Sequence, residues 1–277
     1  AFLRVLRVLC GERVFLLKGM LMARLENKVV VLTGAGSGIG LAAVKLFARE
    51  GAKLMLAGRN EAALAAAVKA AGEGNAAYIV ADVSKPEDNQ RLIKAAEQKF
   101  GGIDAFVANA GVEGAIASIV DYPVDAFDQV MAVNVRGVFL GLKYAIPALK
   151  KRAGGSIIIT SSIGGIKARG QGNSAYIASK HAEIGLMRAA STECAPFNIR
   201  VNCVLPGPTD TRMMQKIEEG RSPGAPEKAR ETIVAGLPMK RYGTAQEIAN
   251  LMLFLVSDES SICTGGVYMA DGGLSAI

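Results

Sequence analysis

The segment KVVVLTGAGSGIGLAAVKLFAREG, Lys28 to Gly51, constrains the fold more than any other part of the chain. Lys28 to Thr33 is an apolar, β-branched run of the kind that makes a strand buried on both faces. From Gly38 onward, apolar residues recur at helical spacing until Gly51 ends the pattern. A strand that passes through a glycine turn into a helix is the first half of a βαβ unit, and the backbone N–H groups at that helix start can receive a pyrophosphate. Downstream, KLMLA, AAYIVA, DAFVAN, SIIITS, IRVNCVL and GVYMA are further strand candidates, each separated by a helical stretch. This alternation predicts an α/β chain with a doubly wound parallel sheet, helices on both faces and right-handed crossovers. Ligands of such sheets lie at the carboxyl ends of the strands. Thr33-Gly34, Asn109-Ala110-Gly111, Ser162 and Pro206 all follow strand candidates and fall on that edge.

Tyr176 and Lys180 stand four residues apart in SAYIASK, so on a helix they share a face. A tyrosine is a poor acid or base at neutral pH, with an ordinary pKa of about 10, but an ammonium held beside it favours the phenolate. Ser162, fourteen residues upstream, supplies a hydroxyl that could hold a carbonyl oxygen while the tyrosine gives or takes its proton. The glycine loop then offers a place for a hydride source. Its glycines, Gly34, Gly38 and Gly40, have a T-G-x-x-x-G-x-G spacing, because Ile39 occupies the position where G-x-G-x-x-G needs glycine.

Taken in order, TGAGSGIG, Asp82 in ADV, Asn109-Ala110-Gly111, Asn134 in VNVRG, Ser162, Tyr176-x-x-x-Lys180, Pro206-Gly207 and Asp271-Gly272-Gly273 resemble the short-chain dehydrogenase/reductase family from about Met22 to Gly273. The resemblance implies a Rossmann-like sheet of about seven strands in the order 3-2-1-4-5-6-7. It also implies a catalytic set of Asn134, Ser162, Tyr176 and Lys180. Ser162 would orient the substrate oxygen, Tyr176 would transfer the proton, Lys180 would tune the tyrosine and bond the nicotinamide ribose, and Asn134 would hold a water linking Lys180 to solvent. Cofactor contacts are implied for Gly34, Ser37, Gly38, Ile39 and Gly40, for Arg59, Asp82 and Val83, and for Asn109, Ala110 and Gly111. Tyr176, Lys180, Pro206, Gly207, Thr209 and Thr211 complete that set. The stretch MMQKIEEGRSPGAPEKARETIVAGLP matches the family's mobile substrate lid in position, and its glycines and prolines suit a hinged loop.

Cofactor choice turns on the end of the second strand. A carboxylate there would bind the ribose 2′-hydroxyl of NAD and repel a 2′-phosphate, but this chain has Ala57, Gly58 and Arg59. A small residue leaves room and arginine offers a fork for phosphate, which favours NADP over NAD. The competing reading of Arg59 is a solvated loop residue. Ser162 is preferred to Ser161 because SIGG fits the family's S-x-x-G run. His181, the single histidine, lies five residues from Tyr176 and off the shared face, which gives it a surface or packing role.

The expected activity is interconversion of a secondary alcohol and a ketone with a nicotinamide cofactor, on a cyclic or steroid-like hydrophobic substrate. The alternative is a 3-oxoacyl-carrier-protein reductase, for which Lys167, Arg169 and Arg136 would supply a basic patch facing the acidic carrier. A non-catalytic dinucleotide binder would have no need for all four of Asn134, Ser162, Tyr176 and Lys180. The net charge of +7 is dispersed: residues 1–21 hold Arg4, Arg7, Arg13 and Lys18 against Glu12, a surplus of three, and four more positive charges are scattered over the rest. No nucleic-acid partner is expected. Cys10, Cys194, Cys203 and Cys263 have no metal-ligand spacing and read as buried free thiols of a reducing compartment, so the metal expectation is none and the location cytoplasmic. Residues 1–21 are apolar but interrupted by charge and are read as an extension outside the native fold, without a membrane span. Residues 22–277 are expected to form one catalytic domain. The family resemblance implies a homotetramer, and the apolar circumference of FDQVMAVNVRGVFLGLKYAI agrees with a second covered face.

Overall fold

The computed structural model describes residues 23–72, 74–168 and 172–277; the proposed extension, with Cys10, and Arg169 lie outside the described residues. Seven strands, β1 (Val29–Thr33), β2 (Lys53–Gly58), β3 (Ala76–Val80), β4 (Ala105–Ala108), β5 (Gly155–Thr160), β6 (Ile199–Pro206) and β7 (Val267–Ala270), form one sheet. Every pairing is parallel, in the order β3-β2-β1-β4-β5-β6-β7. The helices are α1 (Gly38–Arg49), α2 (Glu61–Ala71), α3 (Pro86–Phe100), α4 (Val124–Val130), α5 (Gly137–Lys151), α6 (Ser174–Cys194), α7 (Arg212–Arg221), α8 (Pro226–Ala235) and α9 (Ala245–Val256).

The continuous apolar runs have a direct cause. Along β1, Val29 and Val31 enter a core shared with Leu92 of α3, Leu149 of α5 and Met187 of α6. Val30 and Leu32 point the other way, into a core shared with Phe47 of α1, Leu64 of α2 and Met252 of α9. Each residue of β1 is buried, and every such side chain contributes about 1.5–3 kcal/mol relative to exposure. Alternation with polar residues would place a polar group in one core or the other.

A six-residue π-helical turn, Met131–Arg136, joins α4 to α5. The continuous helix Val124–Lys151 is long and apolar enough to cross a bilayer, yet half of its apolar stretch is buried within this molecule. Two small residues let it approach the rest of the fold: a Cβ at Gly141 would lie 2.6 Å from the Phe106 ring, and one at Gly137 would lie 2.8 Å from Val83. The segment that matches the lid in position forms a helical hairpin, α7 and α8, rather than a loop, and its residues line the edge of a cleft. Pro226 stands in the first turn of α8, where its missing N–H costs nothing. Gly224 takes φ of +73° in the connection, and its N–H donates to Glu219 Oε1 at 2.9 Å. Lys216 pairs with Glu113 at 2.8 Å, which ties α7 to the loop after β4.

Candidate active site

The strand order reverses at β1, which lies between β2 and β4, and Thr33 binds the two loops at that point together. Its hydroxyl accepts from the N–H groups of Asn109 at 3.0 Å and Ala110 at 3.1 Å and donates to Val107 O. The Asn109 amide donates to Thr33 O and Gly34 O at 3.2 and 3.4 Å. Gly34 has φ of +68° and Gly38 of +52°, a region costly for residues with a Cβ. A Cβ on Gly40 would fall 2.2 Å from Gly34 O, and one on Gly34 would fall 2.9 Å from Ala110 Cα. The loop therefore presses bare backbone around the start of α1, whose N-cap, Ser37, makes no side-chain capping bond. Unspent helix N–H groups in a cradle without Cβ atoms fit the diphosphate of a dinucleotide.

A cleft of about 480 Å³ opens at this edge and is lined by Gly34, Ser37, Gly38, Ile39, Asn109, Ala110, Gly111, Ser162, Tyr176, Lys180, Pro206, Gly207, Thr209 and Thr211. Gly40, Arg59, Asp82, Val83 and Asn134 lie outside its lining. Gly40 supports the loop from below, whereas Arg59 and Asp82 stand beyond β2 and β3. Asp82 folds onto its own turn and accepts from both the N–H and the hydroxyl of Ser84, at 3.0 and 2.7 Å. Burial by itself would raise this carboxyl, but the Ser84 bonds and the nearby Arg59 charge hold it below the usual value. A separate cavity of about 420 Å³ at the opposite sheet edge, around Asp104, Arg152 and Arg200, contains none of the candidate residues.

The chemical residues converge where β5 ends and α6 begins. Ser162 caps the 3-10 turn Ile163–Gly165, its oxygen accepting the Gly164 N–H at 3.1 Å; its own proton stays free to donate into the cleft. A Cβ at Gly164 would lie 3.5 Å from Ser162 Oγ and 3.7 Å from Tyr176 Cε1, so both side chains flank the same glycine. Ser161 is occupied elsewhere, donating to Lys180 O at 3.0 Å beneath the surface. The Lys180 ammonium lies 5.5 Å from the Tyr176 ring centre. It is buried and donates to Thr160 O at 3.0 Å and to both oxygens of Glu183, at 2.8 and 3.0 Å.

Asn134 sits on the π-helical turn with no exposure. Its carbonyl oxygen accepts the Val112 N–H at 2.9 Å, and its amide donates to Val112 O and Ser179 Oγ, each at 3.0 Å. A Cβ on Gly111 would lie 3.4 Å from the Asn134 oxygen and 3.6 Å from Lys180 Nζ, so both side chains lie behind that loop. His181 is exposed and bonds Ile177 O along the helix, outside the cleft. Cys194 and Cys203 are buried and Cys263 is half-buried, all as free thiols. Among the described residues no cluster could hold a metal. Glu183 was not visible as a site residue in the sequence, where SKHAEIGLM reads as an ordinary helix face.

A family model described as enoyl-(acyl carrier protein) reductase matches residues 34–275. Levodione reductase of Leifsonia aquatica is 39% identical over 91% of this chain and 96% of its own length. The chain belongs to the short-chain dehydrogenase/reductase family. A 3-oxoacyl-[acyl-carrier-protein] reductase of Thermotoga maritima is 40% identical over 91% of this chain and 99% of its own. Among solved structures, levodione reductase superposes with a TM-score of 0.87 at 37% identity, covering 91% of this chain and 98% of the other. NAD+-bound xylitol dehydrogenase superposes at 0.86 and 34% identity, over 90% and 99%. The chain is accordingly an oxidoreductase that acts on CH–OH groups with a nicotinamide cofactor.

Proposed function

We propose that this chain interconverts a secondary alcohol and a ketone by a mechanism in which Tyr176 exchanges the proton with the substrate oxygen. The observation that carries the assignment is the convergence of Ser162 Oγ and the Tyr176 ring on Gly164, with the buried Lys180 ammonium 5.5 Å from that ring. In ketone reduction, Ser162 donates a hydrogen bond to the carbonyl oxygen and fixes its position. Tyr176 delivers a proton to the same oxygen, and the positive charge of Lys180 stabilises the phenolate left behind. A bound nicotinamide supplies the hydride, or accepts it in the reverse direction. Asn134 fixes the loop after β4 through Val112 and braces α6 through Ser179, so its part is in holding Lys180 and Tyr176 in register.

The dinucleotide would be held by the glycine loop and α1 start, by Asn109, Ala110 and Gly111, by Asp82 and Val83 at the adenine end, and by Pro206, Gly207, Thr209 and Thr211. Gly58 and Arg59 support NADP over NAD. The substrate side of the cleft is walled by Ile163, Ile177, Met213, Met214, Ile217 and Ile233, which supports a hydrophobic, cyclic or steroid-like substrate. A second reading, reduction of a 3-oxoacyl carrier-protein thioester, is favoured by Lys167, Arg212 and Arg221 on the same cleft. Assaying cyclic and steroid ketones beside a 3-oxoacyl thioester, each with both cofactors, separates the two. Residues 22–277 form the catalytic unit of a cytoplasmic homotetramer in this reading, without membrane or nucleic-acid partners. Phe127 and Phe139, exposed at 40% and 49% on the outer face of the Val124–Lys151 helix, support a covering subunit.

A further inference from the structure

The catalytic lysine of this chain is not free within its pocket. An ammonium has three protons to donate, and Lys180 directs its hydrogen bonds at Thr160 O and at the two oxygens of Glu183. Glu183 lies three residues on along α6, on the same buried stripe as Ser179, Lys180, Ile184 and Met187. It is 1% exposed. A carboxylate in that position has no solvent to share its charge with, so its protonation and the field of Lys180 are bound together.

We propose that Glu183 is a positioning residue that clamps the Lys180 ammonium against the end of β5 and, through its own protonation, sets how strongly that charge acts on Tyr176. The inference rests on the assignment of Tyr176 as proton donor. When Glu183 is ionised, its negative charge offsets the lysine and weakens the pull on the tyrosine. When Glu183 is protonated, the lysine charge acts in full and the phenolate is favoured. Burial is the largest influence on Glu183 and raises it to about 7, only partly countered by Lys180. Burial opposes the Lys180 charge as well, but Glu183 and Tyr176 outweigh it and leave the ammonium above its ordinary value. The lysine thus stays charged while the glutamate changes state in the neutral range.

The other groups around the pair are few. α6 contributes Tyr176 and Lys180 themselves. β6 contributes Cys203, whose Sγ lies 4.0 Å from Glu183 O and whose thiol is pushed up by burial and kept neutral. β5 and the residue after it present only the uncharged Thr160 and Ser161, and neither α5 nor the 3-10 turn adds a titratable group to the pair.

Glu183→Gln keeps a hydrogen-bond acceptor for Lys180 and removes the charge, so it isolates the electrostatic part. Alcohol oxidation needs the tyrosine as a base, and its rate falls on the acid side of the profile. In Glu183→Gln the part of that limb above about pH 7, where the parent glutamate is ionised, is expected to move to lower pH by roughly one unit, the effect of one nearby charge, and to converge on the parent below it, with dinucleotide Kd changed by less than about threefold. Glu183→Asp, which restores the charge, should return the limb towards the parent position. A folded Glu183→Gln enzyme whose profile superimposes on the parent overturns the proposal. Infrared difference spectra of the parent give a test independent of folding in the variant: a buried carboxyl C=O band should disappear between about pH 6 and 8, and no such titration overturns the proposal too. Tyr176→Phe, run in parallel, separates the two levels: if it keeps normal turnover the mechanism itself fails, and if it is inactive while Glu183→Gln behaves as the parent, only the role of Glu183 fails.

Discussion

Gly40→Ala tests the dinucleotide cradle with a single carbon atom. The added Cβ would sit 2.2 Å from Gly34 O and 2.8 Å from Asn109 Nδ2, while an unstrained contact needs about 3.5 Å. Gly34 O belongs to the backbone, and Asn109 is tied to Thr33 O and Gly34 O, so neither neighbour can swing aside as a flexible side chain would. The loop itself must move by about 1 Å, enough to spoil hydrogen bonds made by its N–H groups. Each bond to a charged phosphate contributes about 1.5–3 kcal/mol. Losing two amounts to about 3–6 kcal/mol, or roughly a 10²- to 10⁴-fold rise in dinucleotide Kd at about 1.4 kcal/mol per tenfold. Gly185→Ala is the matched control: its Cβ meets nothing within 4 Å, Gly185 is not at positive φ, and it lies outside the cleft. Titration calorimetry with NADPH and NADH should show the large loss for Gly40→Ala and less than about threefold change for Gly185→Ala. A folded Gly40→Ala protein that binds either dinucleotide as the parent does would refute the argument.

The room at Gly58, where a Cβ would meet Leu64 Cδ2 at 3.5 Å, an ordinary contact, permits a cofactor switch. Gly58→Asp with Arg59→Ala should move kcat/KM towards NAD by at least about tenfold, through repulsion of the 2′-phosphate as well as loss of its partner; the parent should prefer NADP, and a parent clearly better with NAD sinks the idea. A chain starting at Met22 should remain active and assemble as a tetramer. Light scattering checks this, with a stable, active monomer counting against the covered face on the Val124–Lys151 helix.

The strands were legible because a parallel sheet covered on both sides admits no polar alternation, so each of the seven reads as a short apolar run between helical periods. Tyr176 and Lys180 were legible from helix geometry, and Ser162 from its place after β5. Three features were not. The π-helical turn at Met131–Arg136 alters the helix phase and places Asn134 against Val112 and Ser179, but hydrophobic spacing does not distinguish it from an α-helical turn. The α7–α8 hairpin resembles a loop in sequence because its glycines and prolines look like breakers, although Pro226 starts a helix and Gly224 makes the connection. Glu183 does not stand out in the sequence because charge on a helix ordinarily marks a solvated face, and only the burial of Lys180 in the fold turns its i,i+3 partner inward.

Whether Tyr176 carries the proton is decided by the turnover of Tyr176→Phe. The substitution keeps the ring beside Gly164 and removes only the hydroxyl. Measured on a ketone that the parent reduces, with dinucleotide Kd determined on the same preparation, kcat should fall by about 10²- to 10⁴-fold while Kd stays within a few-fold. A kcat close to that of the parent, with the cofactor bound normally, would mean that another group delivers the proton.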